Sequence, residues 1–227
     1  MSSKPELRLD WCSHAAAKYA VEQWHYSKSL PASKKACVGV WEDGRYIGCI
    51  IFSWGSNPNI GAPYRLCMTD VCELVRIALS QHSTTTSKIV SIAIRMLRKH
   101  CPGIRLIVSY ADTEQGHIGT MYQALSFIYV GTMKTTPWHW HNGKWVKQRT
   151  MSSACGSVRG SKTRPGSPKI KYLLPLDADM RAQIEPLRKP YPKKEQCATS
   201  IENDAAGNHP AEGGVIPTVA LQDTDHA

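Results

Sequence analysis

Residues 71–112 restrict the fold of this chain more than any other stretch. Two apolar runs, VCELVRIAL (71–79) and IRLIVSYAD (104–112), flank a segment of helical period. Within it Ile89, Ile92, Ala93, Met96 and Leu97 recur at i, i+3, i+4, i+7 and i+8, which puts them on one face of a helix. Thr86 or Ser87 can cap that helix, and Pro102-Gly103 ends it. A nearly all-apolar run between turn signals reads as a buried strand. A strand–helix–strand unit of this kind must lie in a sheet whose face the helix covers.

The flanking sequence adds strands and helices. ELRLD (6–10) predicts a short strand, and Ser13 can cap a helix reaching about Trp24. HYSKSLP (25–31) is a polar loop. Residues 36–53 predict a hairpin with its turn at Asp43-Gly44. Beyond 112 come a helix at about 116–125, a strand FIYVGTMK (127–134), a Trp/His-rich connection and a strand WVKQRTM (145–151). Residues 152–171 are rich in Ser, Gly, Pro, Lys and Arg and predict a basic loop or arm. KYLLPL (171–176) docks back on the domain. The order predicts an α/β fold built on a mixed sheet with helices on both faces. One domain over 1–191 and a disordered acidic tail over 192–227 complete the expectation.

Charge narrows the partner. The 227-residue chain carries a formal net charge of +10, unevenly spread. Residues 193–227 hold two basic and six acidic residues, whereas 131–192 hold twelve Lys or Arg against three Asp or Glu. Such a basic stretch suits a phosphate backbone, or else an anionic cofactor or solubility alone. No run approaches the roughly 18 apolar residues of a membrane span, and MSSKPELRLD has no apolar signal core, so a cytoplasmic protein without membrane contact is expected. The eight cysteines include no CxxC pair, which argues against a zinc ribbon and for reduced, mostly buried thiols.

GTMYQALSFIYVG (119–131), with the strand–helix–strand unit before it, resembles the closing motif of the GNAT acetyltransferase superfamily. The likeness covers about two-thirds of the chain. It implies a mixed, largely antiparallel central sheet with helices on both faces, and Tyr122 as proton donor. HYSKSLP (25–31), ELVRIAL (73–79) and SYADTEQGHIGTMYQALSFIYVG (109–131) more closely resemble the Mom family of bacteriophage DNA-modification proteins. That resemblance implies a transferase placing a carbamoylmethyl group on the N6 amine of adenine in double-stranded DNA, as protection from restriction. The rival classes are an ordinary N-acetyltransferase and a non-catalytic DNA-binding protein on the same fold. One departure stands out. GNAT enzymes carry a Gly-rich phosphate loop after the central strand, whereas this chain reads SQHSTTTSK (80–88). Ser83, Thr84, Thr85 and Thr86 are the candidate phosphate contacts, through hydroxyls and helix amides. The donor stays open between acetyl-CoA and another activated acyl donor. A divalent metal such as iron, held by His25 and Asp112, is a further candidate.

The chemistry selects the remaining candidates. Adenine's amine is a weak nucleophile, because its lone pair is delocalised into the ring. A site must hold it beside an electrophile and remove a proton. A duplex hides that amine, so the base must be extruded. Asp112, at the end of a buried strand, is a candidate base or a turn carboxylate. Tyr122 is a proton donor or a core tyrosine. Glu73 and Arg76, three apart on a strand, are expected on opposite faces, in a cleft or in ion pairs. His25 and Tyr26 suit stacking, metal ligation or base catalysis, and Lys28 a phosphate contact. Trp138 and Trp140 of WHWH (138–141) form a stacking platform or an aromatic hairpin in preference to a two-histidine metal site. Arg159, Lys162 and Arg164 are candidate DNA contacts.

Overall fold

Ser13 separates the first strand from the first helix by its side chain, whose Oγ accepts from the Ala16 amide at 3.2 Å. The computed structural model describes residues 4–193 apart from Ser56 and Lys134; the expected acidic tail lies outside these residues from 194 onward. In chain order the elements are β1 (Leu7–Trp11), α1 (His14–Trp24), β2 (Lys35–Glu42), β3 (Arg45–Ser53), β4 (Val71–Leu79), α2 (Thr86–His100), β5 (Leu106–Asp112) and α3 (Thr120–Ala124). There follow β6 (Ile128–Met133), β7 (Trp138–His141), β8 (Lys144–Lys147), α4 (Gln148–Cys155), β9 (Thr163–Arg164), β10 (Lys169–Pro175) and α5 (Ala178–Ile184).

Seven strands make one sheet in the order β1-β2-β3-β4-β5-β10-β6. β4 and β5 pair in parallel, and the other neighbours pair antiparallel, so the sheet is mixed and largely antiparallel. The β2–β3 turn is made at Asp43 and Gly44, both at positive φ, which matches the right-handed twist of the flanking strands. KYLLPL does more than dock. As part of β10 it runs between β5 and β6, pairing with both from Lys169 to Leu173.

Both faces of the sheet are covered. The α2 stripe of Ile89, Val90, Ala93, Ile94 and Leu97 packs on Val38, Val40, Ile50, Cys72, Leu74 and Ile107. On the opposite face α1 buries Ala17, Ala20 and Val21 against Cys49, Ile51 and Ala78. Burying Val21 there contributes about 1.5–3 kcal/mol. Beside α1, Met180 and Ile184 of α5 cover Leu106, Val108, Ile128 and Leu173. No helix among the described residues is long and apolar enough to cross a membrane.

The segment after β6 departs from expectation. WVKQRTM does not run on as one strand. β8 stops at Lys147, and Gln148 begins α4. The Trp/His connection is itself the strand β7, and the expected loop at 152–171 contains the end of α4, β9 and the start of β10. Together β8, β7 and β9 form a separate three-stranded sheet. Alternation in WHWH and KWVK is a strand period, and the Asn142-Gly143 turn, both residues at positive φ, closes the hairpin.

Candidate active site

β4 and β5 pair only from Val71↔Leu106 to Leu74↔Ser109. At that point β4 carries a bulge. Ile51 faces Arg76 and Phe52 faces Leu74, so Val75 is an extra residue. A bulge bends its strand and interrupts pairing. Past it the two strands part around a cavity of about 560 Å³, lined by residues 75–77, 110–112, 24–26 and 115–122 with Thr86. This volume falls within the roughly 300–1,000 Å³ of small-molecule pockets.

The bulge also corrects the expected placing of Glu73 and Arg76. Cys72, Leu74, Ile77 and Leu79 face α2, whereas Val71 and Ala78 face the other side. The inserted Val75 therefore returns Arg76 to the face of Glu73. Arg76 lines the pocket, tied to the HYSKSLP loop by Nε donating to Ser29 O at 3.2 Å and to β4 by Nη1 donating to Val75 O at 2.8 Å. Burial lowers its pKa, while Tyr26 and Glu73 oppose that shift. Glu73 does not line the pocket. Its carboxylate lies against Gly55, where an added Cβ would meet Oε2 at 2.6 Å.

Asp112, Tyr26, His25 and Tyr122 meet in this cavity. Oδ2 of Asp112 accepts from the Tyr26 hydroxyl at 3.3 Å and lies 3.6 Å from Lys169 Nζ on β10. Oδ1 accepts from the Glu114 amide at 3.2 Å, so Asp112 is also a turn cap. The two roles coexist because the carboxylate has two oxygens, and its side chain keeps 12% exposure toward the cavity. Tyr26 stacks on His25 with ring centroids 4.3 Å apart. Burial, and next the Asp112 charge, push its phenol up to about 12.

His25 has a defined protonation pattern. The Ser27 amide donates to Nδ1 at 3.1 Å, so Nδ1 carries a lone pair and the neutral ring keeps its proton on Nε2. Burial, and then Arg76, His117 and Lys28, lower its pKa from the ordinary 6.5 to about 4. At neutral pH His25 is therefore an uncharged imidazole, and in this tautomer its Nε2 is a donor. Tyr122 comes from α3 on the α2 side of the sheet, packed on Tyr172 and Phe127. Burial pushes its phenol up to about 12, and a hydrogen bond with Ser109 acts in the opposite direction. It is a neutral hydroxyl at the inner wall. Gly119, at φ +85°, lets α3 approach this closely, since a Cβ there would come within 2.3 Å of the Tyr172 ring. Lys28 folds its ammonium back onto Gln23 O at 2.8 Å, at the end of α1, and does not line the pocket.

The phosphate-loop candidates separate. Thr86 lines the cavity, while Ser83, Thr84 and Thr85 do not. The Ser83 and Thr84 amides donate to Oε2 and Oε1 of Glu42, each at 2.8 Å. Glu42 is only 5% exposed. Its pKa is lowered by the Ser83 amide first and the Thr84 side chain next. Glu42 thus pins the loop just before α2, whose N-cap residue Thr85 makes no side-chain cap bond. As the loop stands, the Ser83 and Thr84 amides are taken by Glu42, and of the four candidates Thr86 is the one that lines the cavity. Sequence reasoning missed Glu42 because 41 residues separate it from the loop. It also missed Lys169, Tyr110 and His117, which tertiary contacts bring to the pocket or its rim.

The remaining candidates gather on the three-stranded sheet. Trp138, Trp140 and Arg164 lie on β7 and β9, and Lys162 joins them through its carbonyl, which accepts from the Trp140 amide at 2.9 Å. Arg159 is exposed in the turn before β9. His139 faces the opposite side from the tryptophans, with Nδ1 2.7 Å from Ser161 Oγ, and His141 Nδ1 lies 3.6 Å from Cys155 Sγ. Among the described residues no three His, Cys, Asp or Glu side chains converge to hold a metal ion.

The methylcarbamoylase Mom of Escherichia phage Mu is 28% identical over 153 residues, 65% of this chain. The match spans 63% of that relative, less than two-thirds of its length. Among solved structures, a Bacillus subtilis acetyltransferase in complex with CoA is similar at 14% identity, covering 77% of this chain and all of that one, with a TM-score of 0.47. A GNAT family acetyltransferase from Elizabethkingia anophelis with acetyl-CoA bound is similar at 12% identity, covering 75% and 98% of the two chains, with a TM-score of 0.42. The Mom protein family is matched over residues 6–193. With nearly all the described residues inside that match, this chain belongs to the Mom protein family.

Proposed function

We propose that this chain is a transferase that attaches a carbamoylmethyl group to the N6 amine of adenine in phage DNA, shielding the DNA from restriction. The observation that carries the reading is the convergence of Asp112, Tyr26, His25, Arg76 and Tyr122 on one cavity, in a chain of the Mom family. The phage Mu relative, a methylcarbamoylase, supports it.

The target adenine swings out of the duplex into the cavity, where Tyr26 and Tyr110 give its ring aromatic surface. Asp112 takes the proton that N6 loses as the new N–C bond forms. The bond between the transferred carbon and the donor's leaving group breaks in the same step, and Tyr122 supplies a proton to that group. Nε2–H of His25 and the Arg76 guanidinium hold the carbonyl of the carbamoylmethyl unit. Fixed donors in a water-poor cavity stabilise developing charge better than water does. The donor is an activated carrier of the group.

Mass spectrometry of nucleosides from the DNA of cells expressing the chain tests the proposal. Deoxyadenosine heavier by a carbamoylmethyl group is expected. Unmodified DNA, together with acetylation of small amines or proteins by the purified chain, would replace it with the ordinary acetyltransferase reading.

A further inference from the structure

The three-stranded sheet has one covered face and one open face. His139 and Val146, cross-strand partners, are 4% and 7% exposed on the side where α4 packs. Side chains alternate along a strand, so their neighbours project the other way. Lys147, Trp138 and Arg164 form one cross-strand row on that open face, and Trp140 pairs with Trp145 in the next. The cations lie on the indoles. Lys147 Nζ is 3.4 Å from the Trp138 ring centroid, and Arg164 Cζ is 5.3 Å from the rings of both Trp138 and Trp145. Trp140 meets Trp145 edge-on at 5.2 Å and keeps 42% of its surface exposed.

This face abuts the cavity. Arg164 is 3.8 Å from Glu114, two residues beyond Asp112, and Thr113 Oγ1 donates to Pro168 O at 2.6 Å. Residues 131–176 contain nine Lys or Arg and no Asp or Glu. The occupant must therefore be anionic and must present flat apolar faces. A protein partner with acidic side chains meets the first condition and leaves the indoles unused. A DNA strand with unstacked bases meets both: phosphates pair with the cations, and bases stack on the aromatics without regard to sequence. Extruding one adenine leaves its partner base unpaired and takes a stacking neighbour from the bases on either side, which exposes base faces beside the cavity.

We infer that the open face of β7, β8 and β9 holds the DNA strand flanking the target adenine, stacking unpaired bases on Trp140 and Trp145 and taking phosphates on Lys147 and Arg164. The identity of that adenine rests on the proposed function; the binding does not. The test is titration of labelled single-stranded and fully paired oligonucleotides with the full chain. Trp140→Ala weakens single-strand binding by about 5- to 150-fold, the range for losing one base–aromatic stack, and Trp140→Phe restores most of it. Lys99→Ala, a charge-matched change on α2, leaves affinity unaltered. In the wild-type chain, photocrosslinks from iodouracil next to the target adenine fall within residues 138–147, which keeps the inference testable if Trp140→Ala misfolds. Wild-type affinity in a folded Trp140→Ala, or crosslinks confined elsewhere, would overturn it. Binding at this face without modified adenine would remove the transferase reading and leave the surface. Modified adenine with an unaffected Trp140→Ala would do the reverse.

Discussion

Replacing Glu42 by Gln tests how the loop at the cavity's edge is built. Each carboxylate oxygen accepts one backbone N–H at 2.8 Å, from Ser83 and Thr84. Glutamine keeps one of these bonds, in neutral form. Its amide nitrogen then faces the other backbone N–H, so two donors meet and a buried amide is left without an acceptor. Losing one charge-assisted bond and leaving that donor unsatisfied destabilises the fold by about 2–4 kcal/mol. For a chain of this size each kcal/mol lowers the melting temperature by roughly 2–4 °C, so Glu42→Gln should melt about 4–16 °C early at pH 7. The pH dependence has a definite sign. The folded pKa is depressed, so the stabilisation is present above the ordinary 4.5 and disappears as pH falls through the folded value. Thermal melting of both proteins from pH 7 to pH 3 measures this, and the gap should narrow toward the acid end. A melting temperature equal to wild type at pH 7, or a gap that stays constant to pH 3, would refute the argument.

Asp112→Asn preserves the cap to Glu114 and removes the charge, so modified adenine should fall by about 10²- to 10⁴-fold with melting little changed; full modification would return the carboxylate to a purely capping role. Tyr122→Phe should lose activity in the same assay while retaining DNA affinity, if its hydroxyl supplies the leaving-group proton. His25 has a depressed folded pKa of about 4 against an ordinary 6.5, so unfolded chains gain a proton first on acidification. Its contribution should be complete above pH 6.5 and decline from there toward pH 4, and His25→Gln should flatten melting against pH in that window. Replacing Arg159, Lys162 and Arg164 together by Ala should flatten the slope of log DNA affinity against log salt by roughly 0.9 for each duplex phosphate that the variant no longer neutralises. An unchanged slope would move the phosphate-binding surface elsewhere.

Much of this molecule is fixed by short-range pattern. The apolar stripe of α2, the two runs that flank it and the Asp43-Gly44 turn each lie within a few residues, and period and turn chemistry act over that range. The sequence also singled out Asp112, Tyr122, His25, Tyr26 and Arg76, which line the cavity, and concentrated positive charge after residue 131. Tertiary structure decided how these pieces meet. β10 entered the sheet between β5 and β6 because buried strands need hydrogen-bond partners on both edges, and nothing local in KYLLPL names them. The bulge at Val75 put Arg76 on Glu73's face, where an unbroken two-residue period had placed it opposite. Glu42 closed the loop before α2 from 41 residues away, since a buried amide binds whichever acceptor packing brings to it. WHWH and KWVK became an aromatic and cationic face only when pairing aligned their alternate residues. Period and turn chemistry are properties of neighbouring residues, whereas strand partners, bulges and remote acceptors depend on which distant groups the closed chain brings within hydrogen-bonding distance.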